Sequence, residues 1–300
     1  MKIATSDRLL VLEAIPPRLL SMSLDGADLR VLLDELSGTP DGIAIDYRRG
    51  QVYWTNMGAD WSKNDGFIER INVDGSHRTV VIPKGATFTP KQMQVDAEAG
   101  LLYWCDREGM RVMRSRVDGS DITVLVQTGS TEADRADERR HCVGIAIDRS
   151  GERLYWTQKG PPKGNQGRIL SAPLELPASM SPSARTDIEL VFDGLPEPID
   201  LEWDKENDTL YWTDRGAPPR GNSLNRCRFT GDKPRTPELL LTGLDEGIGL
   251  ALDKSRNEAF VSDLGGNLRT TALDGARQPR VIRAGLGKLT GIALWRPSLG

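Results

Sequence analysis

The sequence predicts an all-β fold, a six-bladed β-propeller that occupies residues 1–300 as a single domain. The first observation is an aromatic strand signature that returns about every 50 residues, the repeat length typical of propeller blades. Its copies are Tyr53-Trp54, Tyr103-Trp104, Tyr155-Trp156, Tyr211-Trp212 and, in degenerate form, Phe260-Val261. Large rings on such strands pack between neighbouring sheets, so we expect these residues to form the core.

The second observation is a set of six short apolar strands, five of which end in aspartate. They cover residues 43–46, 93–96, 145–148, 201–204, 250–253 and 292–295. We interpret each as the inner strand of one blade, which gives six blades. The aspartates that end them should cap the following turns; they are Asp46, Asp96, Asp148, Asp204 and Asp253.

The first repeat shows the order of elements within a blade. The inner strand 43–46 is followed by a tight turn, the aromatic strand 52–55, and a loop over 56–66. A third strand over 67–73 then ends in Asp74-Gly75-Ser76, and Asp-Gly is a hairpin-turn signal. A fourth apolar strand over 79–82 completes the blade.

The third observation concerns the two ends of the chain. The last inner strand, 292–295, has no successors, whereas the chain begins with strand-like runs at 9–14, 18–24 and 29–33 that lack an inner strand. Joining them in one sheet closes the ring and removes exposed sheet edges. We therefore predict that both ends share the sixth blade, and that cutting either end opens the propeller.

Composition excludes several classes of protein. A net charge of −4 and a pI near 5.5 leave no basic footprint for nucleic acid. No apolar run approaches the roughly 18 residues of a membrane span. The first residues lack the apolar region of a secretory signal, which predicts a cytoplasmic protein unless a leader has been removed. Cys105, Cys142 and Cys227 are odd in number and widely spaced, which argues against a disulfide framework or a zinc site.

The combined motifs resemble a known family. Tyr-Trp-Thr-Asp strands, preceded by Ile-Ala-Ile-Asp and followed by Asp74-Gly75-Ser76 or Asp118-Gly119-Ser120, are similar to the YWTD propeller, or class B repeats, of low-density lipoprotein receptors. The resemblance covers nearly all of the chain. In those receptors the domain is an extracellular module that binds proteins or releases ligands, with disulfide-rich modules attached. The resemblance implies the propeller fold and a binding role, but the missing modules and unpaired cysteines argue against a receptor.

Loop length predicts which face of the ring binds. Because chain direction alternates, connections between strands one and two and between three and four lie on one face, here the short-turn face. The other connections lie on the opposite, long-loop face, and they include 56–66, 106–109, 127–142, 158–167 and 214–222. Long loops on a rigid scaffold usually carry function. We predict a small-molecule or protein ligand on the long-loop face, bound by Trp61, Asp106, Arg107, Lys159, Asp214 and Arg215. The alternative for the charged residues is that they hold the loops in place or are simply exposed to solvent.

Two blades are unusual along the central channel. Four inner strands carry glycine and alanine at alternate positions: Gly42/Ala44, Gly144/Ala146, Gly249/Ala251 and Gly291/Ala293. Blade 2 instead has Gln92/Gln94 and blade 4 has Asp200/Glu202. Residues two apart on a strand share a side, so we expect each pair to form one polar patch, which holds a ligand or, alternatively, an interblade hydrogen-bond network.

Two functions remain open on the sequence alone. The chain is either a binding module without chemistry, or a propeller enzyme of the lactonase, lyase or isomerase type acting at the channel mouth. For the enzyme, burial and mutual repulsion of Asp200 and Glu202 would raise one pKa and create a general acid or base, and His141 would reach the same mouth. We predict no cofactor; calcium at the channel is the alternative, although only blades 2 and 4 plainly offer oxygen ligands.

Overall fold

The computed structural model describes residues 6–231 and 233–297 and confirms a six-bladed propeller of antiparallel sheets. Blade 1 contains β4 Pro40–Asp46, β5 Gln51–Asn56, β6 Gly66–Asn72 and β7 Thr79–Thr87. Blade 2 contains β8 Pro90–Asp96, β9 Leu101–Asp106, β10 Arg111–Arg116 and β11 Thr123–Gln127. Blade 3 contains β12 Cys142–Asp148, β13 Arg153–Gln158, β14 Gly167–Pro173 and β15 Glu189–Leu195. Each inner strand packs against the inner strands of both neighbouring blades, which closes the ring.

The remaining blades follow the same order. Blade 4 contains β16 Pro198–Asp204, β17 Thr209–Asp214, β18 Ser223–Thr230 and β20 Glu238–Thr242, with the short β19 Lys233–Pro234 beside β18; blade 5 contains β21 Gly247–Asp253, β22 Glu258–Asp263, β23 Leu268–Ala272 and β24 Arg280–Arg283. Blade 6 contains β25 Lys288–Trp295, β1 Arg8–Ile15, β2 Pro17–Met22 and β3 Arg30–Leu33. Short helical segments are α1 Glu132–Arg135 and the 3-10 turns Glu138–Arg140 and Lys254–Arg256.

Blade 6 joins the two ends of the chain, as predicted. The N-terminal strand β1 lies between the C-terminal inner strand β25 and β2, and pairs with both. Side chains 9–12 of β1 are fully buried. Trp295 of β25 stacks on Tyr47 of blade 1, with ring centroids 5.9 Å apart, so the closing strand also binds the next blade.

Apolar clusters between neighbouring blades form the core. The aromatic signature residues lie there, as predicted: Trp54, Trp104, Trp156 and Trp212 are each at most 1% exposed. Between blades 1 and 2, for example, Tyr53 packs with Met93 and Trp104. Burying such large side chains stabilises the ring by about 1.5–3 kcal/mol each.

A hydroxyl side chain after the aromatic signature links one blade to the next in four of the blades. Thr157 accepts a hydrogen bond from the Gly144 N–H at 2.7 Å and donates to the Ile199 carbonyl of blade 4 at 2.9 Å. Thr55, Thr213 and Ser262 make the same two contacts in their blades. The inner strand has a bulge at this position, which directs the free N–H toward the hydroxyl.

Replacing Thr157 with valine, which has nearly the same shape, should lower the free energy of unfolding by about 1–3 kcal/mol, because two buried backbone groups lose their partner. Urea denaturation measures the loss. Thr186→Val is the matched control, since Thr186 is exposed, and it should change the free energy by less than about 0.5 kcal/mol. Wild-type stability in Thr157→Val would show that this link does not stabilise the ring.

Aspartates at the ends of the inner strands cap the short turns, as predicted. Asp46 accepts the Arg49 N–H, Asp96 the Ala99 N–H, and Asp253 the Arg256 N–H. Several of them also form ion pairs with the next blade: Arg149 lies 2.8 Å from Asp96. These carboxylates therefore belong to the scaffold rather than to a site.

One connection departs from the expectation that the short-turn face carries only short turns. Residues 174–188, between β14 and β15, cross to blade 2, where the Gln127 N–H donates to the Pro182 carbonyl. Arg185, whose side chain is fully buried, pairs with Asp187 and donates to the Leu125 carbonyl. The insertion thus covers part of the outer edge strand β11, a common way to protect a sheet edge.

Two further predictions concern the residues that the structure describes. The three cysteines are buried and unpaired, in agreement with the absence of a disulfide framework. None of the helices in residues 6–231 and 233–297 is long and apolar enough to cross a membrane.

Candidate functional site

The channel is closed at its long-loop end. One residue from each inner strand lies at this level: Asp41, Lys91, Val143, Ile199, Ile248 and Thr290, none more than 7% exposed. Lys91 Nζ lies 2.6 Å from Asp41 Oδ1, and Val143, Ile199 and Ile248 form an apolar cluster. A ligand on the long-loop face would therefore not enter the channel.

Gln92 and Asp200 lie at this closed end. Gln92 Nε2 donates to Asp41 Oδ2 at 3.2 Å. The two oxygens of Asp200 accept the N–H groups of Leu201 and, in blade 5, Leu250, both at 2.9 Å. Burial, and then the charge of Glu202, raises the pKa of Asp200 well above its usual range. Both residues act as interblade links, which was the alternative reading of the sequence.

Gln94 and Glu202 lie at the other end of the channel, which opens on the short-turn face. Gln94 Nε2 of blade 2 donates to Glu202 Oε1 of blade 4 at 3.2 Å. The pair lines a cavity of about 290 Å³, together with Lys254; most of its lining residues are apolar, but polar atoms provide about half of the exposed wall. The expectation of one polar patch per pair is therefore corrected: each pair is divided between the two ends of the channel.

Glu202 is poised to exchange a proton near neutral pH. Burial raises its pKa to about 7, against the opposing effects of the Gln94 hydrogen bond and the Lys254 charge. A carboxyl group with a pKa near the ambient pH can donate a hydrogen bond in one form and accept a proton in the other. Its second oxygen, Oε2, has no hydrogen-bond partner within residues 6–231 and 233–297.

Glu202 should make the folded protein less stable as the pH rises from about 4.5 to about 7. An unfolded glutamate has a pKa of about 4.3, so over this range the unfolded chain releases a proton that the folded chain retains, which favours unfolding. Glu202→Gln carries no titrating proton and should flatten this part of the profile, measured by urea denaturation across that range. Identical slopes for the two proteins would contradict the assignment.

His141 does not join the channel residues. Its Nε2 donates to the Arg135 carbonyl at 2.9 Å, and burial lowers its pKa. The ring lies on the long-loop side, in the field of Glu108, Arg107 and Lys159. The predicted grouping of His141 with Asp200 and Glu202 at one mouth is therefore not present.

Trp61 contacts the largely buried Arg107 on the long-loop face. The indole of Trp61 is 47% exposed, and the Arg107 guanidinium lies 4.9 Å from its ring centroid. Arg107 also pairs with Glu108 at 2.6 Å. The structure thus leaves Trp61 accessible to a partner, as the sequence analysis expected of this loop.

The other predicted ligand residues of the long-loop face are engaged within the protein. Arg215 Nε lies 2.7 Å from Glu197 Oε1, and Lys159 Nζ lies 3.7 Å from the same oxygen. They share this buried carboxylate, and each has a second acidic partner: Lys159 pairs with Glu138, and Arg215 lies 3.9 Å from Glu246.

Asp106 and Asp214 are at most 1% exposed. Asp106 accepts the N–H groups of Phe88 and Thr89, and Asp214 those of Glu197 and Gly216. Burial raises the pKa of Asp214 to about 7. These two carboxylates hold the connections between blades in place through hydrogen bonds to backbone N–H groups.

The sequence indicates which polar residues lie at the short-turn mouth, but loop length drew attention to the opposite face. An inner strand runs from the long-loop face to the capping aspartate at the short turn. Gln94 and Glu202 each stand two residues before that aspartate, whereas Gln92 and Asp200 stand four before it. Position along the strand therefore distinguishes the open end from the closed end.

The described part of the chain contains no cluster of side chains suited to binding a metal ion. No group of three or more His, Cys, Asp and Glu side chains in residues 6–231 and 233–297 is arranged to hold an ion. Calcium at the channel stays an untested alternative.

Comparisons with known proteins identify fungal relatives. No family model matches the chain. It is 46% identical over 288 residues to "Low-density lipoprotein receptor-related protein 1" of Pyricularia oryzae, with 92% of both chains covered. It is 38% identical to the "3-hydroxyacyl-CoA dehydrogenase-like protein LAM1" of Cochliobolus heterostrophus, where the match spans 92% of this chain and 60% of that protein.

Solved structures show the same fold at low identity. A chain of a nidogen/laminin complex superposes with a TM-score of 0.75 at 17% identity, covering 97% of this chain and 99% of that one. A gluconolactonase of Xanthomonas campestris gives a TM-score of 0.63, also at 17% identity, covering 94% and 89%. Together with the aromatic repeats and the closed six-bladed ring, the relatives show that this chain belongs to the YWTD β-propeller family of the low-density lipoprotein receptors.

Proposed function

We propose that this protein binds a small, uncharged molecule in the short-turn mouth of its central channel. The observation that carries the proposal is the Gln94–Glu202 pair, which bridges the channel at a cavity of about 290 Å³ lined mostly by apolar residues. An apolar pocket with a few convergent polar groups and a perturbed pKa is the arrangement typical of ligand sites. Ala44, Ala251 and Ala293 line the same cavity and leave room for an occupant.

The polar pair favours an uncharged head group. Protonated Glu202 can donate from Oε2, while Gln94 keeps its carbonyl oxygen and one N–H available beside its bond to Glu202. A carbonyl group next to an N–H or an ester oxygen, as in a lactam or a lactone, would complement these groups. A fixed negative charge would be repelled whenever Glu202 is ionised.

Enzyme chemistry at the same mouth is the second candidate. It is favoured by the pKa of Glu202, which lies near 7 and suits a general acid or base. The propeller of the Xanthomonas campestris protein, described as a gluconolactonase, is an example of this fold in a lactone-processing protein. In this chain Glu202 would act without Asp200, whose oxygens are both engaged by backbone N–H groups.

Titration with δ-valerolactam, followed by ligand-observed NMR, tests the binding proposal. Saturable binding is expected, and Ala293→Phe should weaken it by about tenfold or more because the added ring occupies the cavity. Ala276→Phe is the matched control, since Ala276 lies on an exposed turn, and it should bind as the wild type does. Equal binding by all three proteins would overturn the proposal.

Hydrolysis of δ-valerolactone distinguishes the two candidates. A binding protein should leave the uncatalysed rate unchanged. An enzyme that uses Glu202 should accelerate hydrolysis, and Glu202→Gln should abolish that acceleration while retaining lactam binding, because glutamine preserves a hydrogen-bond donor at this position. Acceleration that persists in Glu202→Gln would contradict a role for Glu202 in catalysis.

A further inference from the structure

Three segments that depart from the repeat converge on one groove between blades 2 and 3. They are the connection 127–142 between those blades, the loop 158–167, and the insertion 174–188. The groove has a volume of about 730 Å³, and each segment contributes to its lining. This volume lies within the range of small-molecule sites. The groove lies outside the channel, with which it shares no lining residue.

Four arginines and two aspartates, Asp137 and Asp193, line this groove. Arg139 is held by a bidentate pair with Asp137, at 2.7 and 2.9 Å. Arg140 Nε lies 3.4 Å from Asp134 and 3.6 Å from Asp137. These pairs leave the two guanidinium groups partly neutralised, and they fix the loop that forms one wall.

Among the arginines that line this groove, Arg168 is the one without an ion-pair partner in the described part of the chain. No carboxylate lies within 4.0 Å of its guanidinium among residues 6–231 and 233–297. Its Nη2 donates to Gln158 Oε1 at 2.6 Å and to the Arg139 carbonyl at 3.2 Å. Both bonds use the same nitrogen, so they orient the side chain in the groove, and Nε and Nη1 have no acceptor among the residues that the structure describes.

We propose that this groove binds a small molecule bearing carboxylate or phosphate oxygens. The guanidinium group is a planar donor that matches two oxygens of either group, and charge assistance makes such bonds strong. Asn165, Gln166 and Ser183 line the same groove and add neutral donors. An oxyanion here supplies the negative charge that the protein does not place beside Arg168.

Calorimetric titration with citrate and with pyrophosphate, at low salt, tests this proposal and distinguishes a carboxylate ligand from a phosphate ligand. Tighter binding of citrate indicates a carboxylate ligand, and tighter binding of pyrophosphate a phosphorylated one. Arg168→Gln should weaken the preferred anion by about tenfold or more. Arg116→Gln is the control, because Arg116 is exposed and lies outside the groove, and it should leave the affinity unchanged.

A second variant keeps the test valid if Arg168→Gln is poorly folded. Ser183→Trp places a large ring in the groove from an exposed position and should also abolish anion binding, while Ala293→Phe in the channel should not affect it. The proposal is overturned if neither anion binds saturably at millimolar concentration, or if Arg116→Gln weakens binding as much as Arg168→Gln does.

Discussion

A chain that ends at residue 287 should not fold, because it lacks the inner strand of blade 6. Strand β25 contributes Leu289, Ile292, Leu294 and Trp295, all at most 8% exposed, and it pairs along β1. Four such side chains contribute about 6–12 kcal/mol at the usual 1.5–3 kcal/mol each, which is comparable with the whole stability of a typical domain, about 5–15 kcal/mol. The expected result is the loss of a cooperative urea-unfolding transition, which circular dichroism measures.

The control for this truncation is a chain that ends at residue 297, which retains all of β25 and should unfold as the full chain does. A synthetic peptide of residues 288–297, added to the truncated protein, should restore a cooperative transition because it supplies the missing strand. If the truncated chain unfolds cooperatively without the peptide, closure by β25 is not needed for the ring.

Lys91→Met should be the most destabilising single substitution at the closed end of the channel. In the wild type Lys91 Nζ lies 2.6 Å from Asp41 Oδ1, and both side chains are less than 10% exposed. The substitution leaves the Asp41 carboxylate buried without its ion-pair partner. Breaking a buried pair in this way typically costs about 3–5 kcal/mol. Urea denaturation at neutral pH measures the loss.

The double variant Lys91→Met with Asp41→Asn should recover much of this stability. It removes both charges, and asparagine can still accept the hydrogen bond of Gln92. Arg116→Met is the control, since the Arg116–Asp121 pair is more than half exposed, and exposed pairs contribute at most about 1 kcal/mol. A double variant as unstable as Lys91→Met would show that shape, rather than unpaired charge, causes the loss.

The fold could be predicted from the sequence because most blades bury the same kinds of side chain and cap the same turns. Aromatic pairs such as Tyr155-Trp156 must be buried between sheets, and aspartates such as Asp46 must satisfy the N–H groups of a tight turn. These demands are local and recur along the chain, so periodicity reveals them. The shared blade 6 followed in the same way, from counting strands at the two ends.

The site was predicted less well because it depends on what closes the channel. Gln94 and Glu202 were recognised as unusual, but their separation from Gln92 and Asp200 results from the Asp41–Lys91 pair and the apolar cluster, which involve five different blades. Asp106 looked like a ligand residue, whereas its oxygens accept backbone N–H groups 17 and 18 residues away. Such contacts between distant segments leave no periodic signal in the sequence.

The insertion 174–188 was missed for a related reason. Its path along the edge of blade 2 is set by the contacts of Arg185 with the Leu125 and Pro173 carbonyls. A single arginine in a polar stretch gives no indication of burial, because arginine is usually exposed. The groove with Arg168 therefore became visible only in three dimensions.

The measurement that tests the central claim most directly is the location of bound δ-valerolactam by intermolecular nuclear Overhauser effects. Binding at the short-turn mouth predicts contacts from the lactam protons to the methyl groups of Ala44, Ala251 and Ala293. Contacts to the exposed indole of Trp61, on the long-loop face, without contacts to these alanines, would contradict the claim and place the binding surface on the opposite side of the ring.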